Sequence, residues 1–487
     1  MIPLVDLSEV QIYDRSLAQS GRVELVIEEV GFRVASFIRS TFGPIYGKRI
    51  LAVIGRGNNG ADAKAAAKYL RRFGAVVEEV RFSWDDAPIS GEGYDLLVDG
   101  IFGTGISRPL QGKLIDAHEA KVVSIDLPSG VNLLIEDQEE NCVRADVTLI
   151  IGALKLGQLG QAVIEKMGEA YLWHFDDLDS SHGNNLLFEA SDIVFRREVM
   201  DEHKWKRAMH VVGGSKATLG AALLAGVAGF MAGAGLVRVS GNFERPDVLQ
   251  AAYPELIVGD EAAFERDLAT INRFKALVVG PGLGDRSENL LKAVLRSYSG
   301  PIVIDADGIN AISTSKDLQV QVKSYEGPIL LTPHGGEVSR LFGGLDLEVN
   351  EESIRSFVED FGVDLLLKGF PTRIYSSDGR TIFVAANRSN LSVAGSGDVL
   401  SGILGSFIAR DGYSLDAVAS ATYIHGLTGG RGVTNPISMI DALPKLVDSI
   451  PSLSSRRVTL PGNFKPIVYR GPLVEMKDSA LSWRLPW

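Results

Sequence analysis

The chain has 487 residues, 45% of them hydrophobic and 23% charged, a globular composition too long for one ordinary core, so two domains are expected. A net charge of -12 with no basic stripe argues against a nucleic-acid partner. The single cysteine, Cys142, precludes an intramolecular disulfide and fits a reducing, cytoplasmic setting in which it is a small buried side chain.

The opening Met1 to Asp6 lacks the basic stretch and apolar core of a secretory signal. Short β-branched runs then alternate with a helical pattern: Arg49 to Ile54, helix Ala61 to Phe73, Val76 to Phe82, Asp95 to Val98, Val122 to Ile125 and Val147 to Ile151. Strands separated by helices predict a mostly parallel, Rossmann-like sheet. From Phe175 to Lys206 the chain is polar and irregular, which marks a domain junction. Alternation resumes with strands at Met209 to Val212, Leu236 to Ser240, Ala276 to Val279, Pro301 to Ile304 and Pro328 to Leu331. The twenty uncharged residues from Thr218 to Val237 are rich in Gly and Ala, and Gly226, Gly229, Gly233 and Gly235 suit close packing on a sheet. They read as a buried helix rather than a membrane span. Their apolar surface is also one way for the chain to form a homo-oligomer. The expected division is α/β in two domains, residues 1–195 and 196–450, followed by 451–487 as an extended tail docked on the body and carrying Trp483 and Trp487.

In the first half, Gly55-Arg56-Gly57-Asn58-Asn59-Gly60-Ala61-Asp62 follows a strand and opens a helix, the geometry that holds phosphate on backbone amides. It lacks the full G-x-G-x-x-G with a distal acid, so ordinary NAD-dependent hydride transfer is not expected. Asp99-Gly100-Ile101-Phe102-Gly103-Thr104-Gly105 and Asp126-Leu127-Pro128-Ser129-Gly130 close two further strands. Oxygen donors gathered at one sheet edge suit a hard cation, although Asp99 and Asp126 also read as turn or cap residues.

In order, these segments resemble the NAD(P)H-hydrate epimerase domain over about Val10 to Trp173. The resemblance implies K+ bound by Asn59, Asp99 and Ser129, substrate loops at Asn58 to Asp62 and at Gly103, Thr104 and Gly105 through Pro109, and Asp126 as the proton-transfer residue at the nicotinamide. Lys155-Leu156-Gly157 resembles a family segment too, though a surface salt bridge explains Lys155 equally well. Ala61 and Ala63 stand where the family has glycine, and Glu29 where an amide is usual.

In the second half, Ala394-Gly395-Ser396-Gly397-Asp398-Val399-Leu400-Ser401-Gly402 leads into the apolar run Ile403 to Ala409. Glycines at a helix N-terminus leave amides free for an anion. Asp398 is placed to take the proton of an attacking hydroxyl, or else merely to cap the helix. Gly280-Pro281-Gly282-Leu283-Gly284, Asp305-Ala306-Asp307 and Thr332-Pro333-His334-Gly335-Gly336-Glu337 also end predicted strands, where open α/β sheets bind ligands.

Together with Val212 to Ser215, Gly220-Ala221, Gly233 to Val237, Pro254-Glu255, Leu367-Lys368-Gly369 and His425-Gly426, these motifs resemble the ADP/ATP-dependent NAD(P)H-hydrate dehydratases, a branch of the ribokinase-like superfamily. The resemblance runs from Met209 to Gly429 and implies a ribokinase-like α/β/α sandwich. It also implies Asp398 as base, with nucleotide meeting Lys368, Gly369, Thr372, Gly395, Ser396 and Gly397, and the hydrated nicotinamide meeting Ala221, Gly282, Gly284 and His334. ADP or ATP is the implied phosphoryl donor, with Mg2+. Gly335 replaces the family's proline and Trp205 follows His203-Lys204 where a glycine is usual. His425 reads as a packed or hydrogen-bonded helix histidine. The rival readings are a ribokinase-like small-molecule kinase, and a first half that is a non-catalytic binding module, as in scaffolds of RNA decapping proteins.

Overall fold

The computed structural model describes residues 1–104, 110–135, 138–175, 183–196, 203–259, 268–386, 389–429, 434–454 and 464–467. The described chain forms two compact units: Pro3–Gly183 with Phe464–Ile467, and Asn184–Arg457 with Met1–Ile2.

In the first unit the sheet runs Val76–Arg81, Arg49–Ile54, Leu96–Gly100, Lys121–Ile125, Val147–Gly152, Glu169–His174, all parallel, closed by the antiparallel Phe464–Ile467. Side chains alternate across it. Ile50 and Ala52 join Val34, Ile38, Ala66 and Leu70 of the helices on one face, while Leu51 and Val53 join Leu97, Ile101 and Val122 on the other. Each fully buried Ile, Leu or Val of this set contributes about 1.5–3 kcal/mol relative to exposure. From Arg49–Ile54 the chain goes to one side (Val76–Arg81) and then to the other (Leu96–Gly100). The strand order therefore reverses between Arg49–Ile54 and Leu96–Gly100, where such sheets open a ligand crevice.

The second unit repeats the scheme. Its sheet runs Ile257–Gly259, Leu236–Ser240, Ala208–Val212, Ala276–Val279, Ile302–Ile304, Ile329–Leu331, Asp364–Leu367, Thr372–Tyr375, Thr381–Val384, Asn185–Leu187. It is parallel up to Asp364–Leu367 and antiparallel through the next two pairings. Helices cover both faces: Leu219–Met231, Ser396–Asp411 and Leu415–Leu427 pack on Met209, Val211 and Val278, and Ser287–Ser297, Asp307–Thr314 and Glu351–Phe361 pack on Leu277, Val279 and Ile304. This is the expected α/β/α sandwich.

The Gly/Ala-rich segment forms the helix Leu219–Met231, with Gly226 and Gly229 buried inside the unit. A Cβ added at Gly229 would lie 2.5 Å from Met209 Sδ. The face that carries Gly226 and Gly229 is covered within the unit. Among the described residues no helix is long and apolar enough to cross a membrane.

The chain divides differently from the expected limits. Asn185–Leu187 pairs with Thr381–Val384, so the second unit begins before residue 196. The helix Pro436–Ser454 runs across position 451. Of the tail, Phe464–Ile467 pairs with Glu169–His174; Trp483 and Trp487 lie outside the described residues.

Candidate functional site

The second unit gathers its motifs at one end of the sheet. Gly280 ends a strand at φ +126°, and a Cβ there would sit 1.8 Å from the Asp305 carbonyl oxygen, so the Gly280 and Asp305 loops meet backbone to backbone only because this residue is glycine. The Gly284 amide donates to Asp307 Oδ2 at 2.8 Å, and Thr218 Oγ1 donates to the Gly282 carbonyl at 2.7 Å. Ala221 lies in the first turn of the helix beginning at Leu219. Ala221, Gly282 and Gly284 thus belong to one set of interlocked loops.

The helix Ser396–Asp411 begins at Gly395, whose φ of +89° turns the chain into its first turn without a side-chain cap. Asp398 stands in that turn and does not cap the helix, which removes the capping interpretation. The Ser396 amide donates to the Val393 carbonyl at 3.2 Å, whereas those of Gly397 and Asp398 have no partner within the helix and can meet an anion.

Beside them lies a buried ionic cluster. Lys368 Nζ donates to Asp305 Oδ1 at 2.8 Å and stands 3.7 Å from Glu337 Oε2; Asp305 Oδ2 accepts from Ser401 Oγ at 2.7 Å. A Cβ at Gly397 would lie 3.4 Å from Lys368 Nζ, so the ammonium faces the glycine turn. Burial lowers the Lys368 affinity for its proton, and the carboxylates of Asp305 and Glu337 more than reverse this, leaving it above the ordinary lysine value. Burial, then the Asp305 charge, push Asp398 up to about 6, against the pull of Lys368. A carboxylate so poised is ionised at neutral pH yet a stronger base than an ordinary aspartate.

His334 caps the helix Gly335–Gly344: its Nδ1 accepts from the Gly336 amide at 3.0 Å, and its own amide donates to Glu337 Oε2 at 2.9 Å. With Nδ1 accepting, the proton sits on Nε2. The strand ends at His334 and Lys368 are bridged in parallel. Ser396 and Thr372 are buried, and both hydroxyls have internal contacts, Ser396 Oγ with His425 Nε2 at 3.2 Å and Thr372 Oγ1 with the Gly369 carbonyl at 3.0 Å. His425 is a hydrogen-bonded helix histidine, and burial pulls it down to about 4.

In the first unit, Asn59, Asp99 and Ser129 also converge. Asp99 is fully buried and accepts from Ser129 Oγ at 2.6 Å, the Ser129 amide at 2.9 Å and Ser124 Oγ at 2.8 Å; burial raises its pKa against these bonds. Asn59 Nδ2 donates to the Phe102 carbonyl at 2.7 Å, and Ser129 Oγ contacts the same oxygen at 3.2 Å. Asn59 Oδ1 is buried without a hydrogen-bond partner. An orphaned amide oxygen beside a carbonyl, a hydroxyl and a buried carboxylate is an all-oxygen donor set, which fits a hard cation.

A small cavity of about 160 Å³ adjoins this cluster, lined by Asn58, Asn59, Asp62, Gly103, Thr104 and Asp126 among others. Gly105 lies outside the described residues. Asp126, at φ +64°, pairs with Lys155, which also donates to the Ile151 carbonyl at 2.9 Å. Lys155 is 3% exposed. The expected surface salt bridge is therefore a buried ion pair. Asp14, from the helix Leu7–Gln19, lines the same cavity. Burial, then Asp126 and Asp14, push Asp62 up to about 8, and burial also raises Asp14. The replaced glycine at Ala63 is accommodated in the core: its methyl faces Gly100, where an added Cβ would lie 2.4 Å away.

Sequence reasoning missed Ser401, Asp14, and the burial of Lys155. Ser401 and Lys155 lay inside quoted segments; Asp14 had no signal beyond an amphipathic helix.

The chain is similar to known proteins over most of its length. The family model described as NAD(P)H-hydrate dehydratase matches residues 209–452, and that of the YjeF-related protein N-terminus matches 23–88 and 74–157. A bifunctional NAD(P)H-hydrate repair enzyme from Thermofilum pendens is 30% identical over an alignment of 508 positions, gaps included, that covers 91% of this chain and 96% of that one. Its counterpart from Mycobacterium tuberculosis is 32% identical over 407, covering 77% and 82%. A solved ADP/ATP-dependent NAD(P)H-hydrate dehydratase from Bacillus subtilis, co-crystallised with ATP/Mg2+, aligns at 23% identity with a TM-score of 0.45, covering 54% of this chain and 96% of that one. This chain belongs to the family of bifunctional NAD(P)H-hydrate repair enzymes.

Proposed function

We infer that the chain repairs hydrated nicotinamide dinucleotides, the second unit dehydrating S-NAD(P)HX with ADP or ATP and the first interconverting the R and S epimers. The observation that carries the dehydratase is Asp398, poised at about 6 in the first turn of a glycine-capped helix beside Lys368.

Hydroxide is a poor leaving group, so the C6 hydroxyl of the hydrate must first become a phosphate. Asp398 accepts the hydroxyl proton as that oxygen attacks the terminal phosphoryl group, and the shortened nucleotide leaves. The C6–O bond then breaks with its electron pair on phosphate, and loss of the C5 proton restores the dihydropyridine. Lys368 and the first-turn amides of Gly397 and Asp398 stabilise the charge that spreads over the transferring oxygens. Gly369, Thr372, Gly395 and Ser396 shape the nucleotide side, and His334, with Ala221, Gly282 and Gly284, the nicotinamide side.

Among the described residues no group of three or more His, Cys, Asp or Glu converges as a metal cage. The carboxylates of this site would hold a Mg2+ brought with the nucleotide, and its charge would offset that of the phosphates. In the first unit Asn59, Asp99 and Ser129 would hold K+, whose charge would help fix the substrate. Asp126, ion-paired with Lys155, and Asp62, proton-bearing at neutral pH, face the hydrate from one cavity as acceptor and donor. A cytoplasmic setting fits the single buried Cys142.

The test is recovery of dihydronicotinamide absorbance from S-NADHX with no nucleotide, ADP or ATP. Nucleotide-dependent recovery that Asp398→Asn abolishes is the expected result. A stable phosphorylated product without recovery would show a small-molecule kinase instead.

A further inference from the structure

The helix Leu7–Gln19 turns Val10, Tyr13, Asp14 and Leu17 to one side, the i, i+3, i+4, i+7 spacing of a single helix face. That face lines the cavity of about 160 Å³ in the first unit, and Asp14 is its charged member. Three carboxyls, Asp14, Asp62 and Asp126, therefore share the cavity with one ammonium, that of Lys155. Lys155 pairs with Asp126, and among the described residues neither a hydrogen bond nor an ion pair reaches the Asp14 carboxyl. Asp14 is also the one ionisable side chain, among the described residues, that lines both this cavity and a neighbouring one of about 930 Å³, whose Arg56 and Asp85 line the larger space alone. It is exposed, whereas Asp62 and Asp126 are half-buried and Lys155 is buried.

Epimerisation creates a need for such a group. Asp62 gives its proton to the C6 hydroxyl, which leaves as water while the lone pair of the ring nitrogen closes onto C6. Water then adds at the opposite face, and its proton passes to Asp126. The hydrate is now the other epimer, but the protein is left with Asp62 ionised and Asp126 protonated, the form that drives the reverse reaction. A second turnover in the same direction requires that proton to return. We propose that Asp14 is the relay that returns it, accepting from Asp126 and donating to Asp62 through cavity water once the product has left. The proposal rests on the epimerase reading of the first unit. Lys155 favours the ionised form of Asp126 and so promotes the release. The cavity has room for several waters. Burial lifts Asp14 above the ordinary aspartate value, which brings its proton affinity closer to that of Asp62.

The test uses the full chain without ADP or ATP, so that the second half consumes nothing. Initial conversion of pure R-NADHX to the S epimer is followed by chromatography, above the uncatalysed rate. A relay acts on the free protein between turnovers, so its removal slows kcat and spares kcat/KM, which is set before the product leaves. Asp14→Ala is expected to lower kcat about 10²-fold, the lower end of what a positioned proton-transfer group contributes, with kcat/KM within about twofold of wild type. Formate, small enough to enter the vacated space, should restore part of kcat in that variant, and Asp14→Glu should keep most of it. An unchanged kcat overturns the relay, as does a kcat/KM that falls together with kcat, or an Asp14→Ala variant that formate does not speed. If the wild-type chain does not interconvert the epimers, the epimerase reading itself falls and the relay with it.

Discussion

The two units build their sites from the same parts, loops at the carboxyl ends of parallel strands with a lysine among aspartates, yet they use the lysine differently. In the second unit Lys368 is tied to Asp305 and Glu337 and only neighbours Asp398, which settles at about 6. In the first unit Lys155 pairs directly with Asp126, and the carboxyl left without a cation partner, Asp62, rises to about 8. Burial comes first in raising both Asp62 and Asp398, neighbouring carboxylates add to it, and only Asp398 is pulled back by a lysine.

The sharpest way to break this comparison is Asp398→Asn. Loss of a general base is expected to cut dehydratase turnover by about 10²–10⁴-fold. Because the folded-state pKa lies above the ordinary 3.8, the ionised form is penalised on folding, by up to about 3 kcal/mol for a shift of this size. The variant should therefore be more stable than wild type above pH 6 and lose that advantage as the pH falls toward 4. Thermal melts of nucleotide-free protein at several pH values would show it; a less stable variant at pH 8 would mean that Asp398 holds the fold together rather than straining it.

Next comes Lys155→Met, which leaves Asp126 unpaired in a buried setting. Breaking such a pair costs about 3–5 kcal/mol, or roughly 6–20 °C in the melting of a unit of this size. An unmoved transition would contradict the burial of the pair.

The pH profiles should run in opposite senses. Dehydratase turnover should rise as the pH rises through about 6, when Asp398 becomes able to accept a proton. Epimerisation, corrected for the uncatalysed rate, should fall as the pH rises through about 8, when Asp62 loses its proton. Two parallel profiles would show that Asp398 and Asp62 do not act as acceptor and donor in the two units.

Strand positions were readable because buried parallel strands are continuous β-branched runs, and Arg49–Ile54, Leu236–Ser240 and Ala276–Val279 fall where those runs do. Helix starts were less so. The helix at Ser396 begins seven positions before the apolar run Ile403 to Ala409, since five of its first seven residues are Ser, Gly or Asp and only Val399 and Leu400 enter the core. The strand Asn185–Leu187 is three residues long and owes its existence to pairing with Thr381–Val384, far along the chain. Site chemistry follows the same rule. Asp398 and Asn59 announce themselves in local motifs, whereas the Lys155 contact with Asp126 and the Ser401 contact with Asp305 join residues 29 and 96 positions apart. No local pattern encodes a partner at that range.

The smallest effect concerns the departure at Ala63, where a methyl replaces a hydrogen in the helix that carries Asn59. Ala63 is fully buried, and its Cβ occupies the space that Gly100 leaves open. Gly100→Ala should therefore overpack the site by about 1–3 kcal/mol, and Ala63→Gly alone should cost about 1 kcal/mol through helix propensity. The double variant should be more stable than the sum of the two losses predicts. The rescue should be partial, because the new Cβ would still lie 2.8 Å from the Asn59 carbonyl oxygen. Additive losses would mean that the two positions are not in contact, and that the methyl at Ala63 disturbs the Asn59 turn instead of filling the core beneath it.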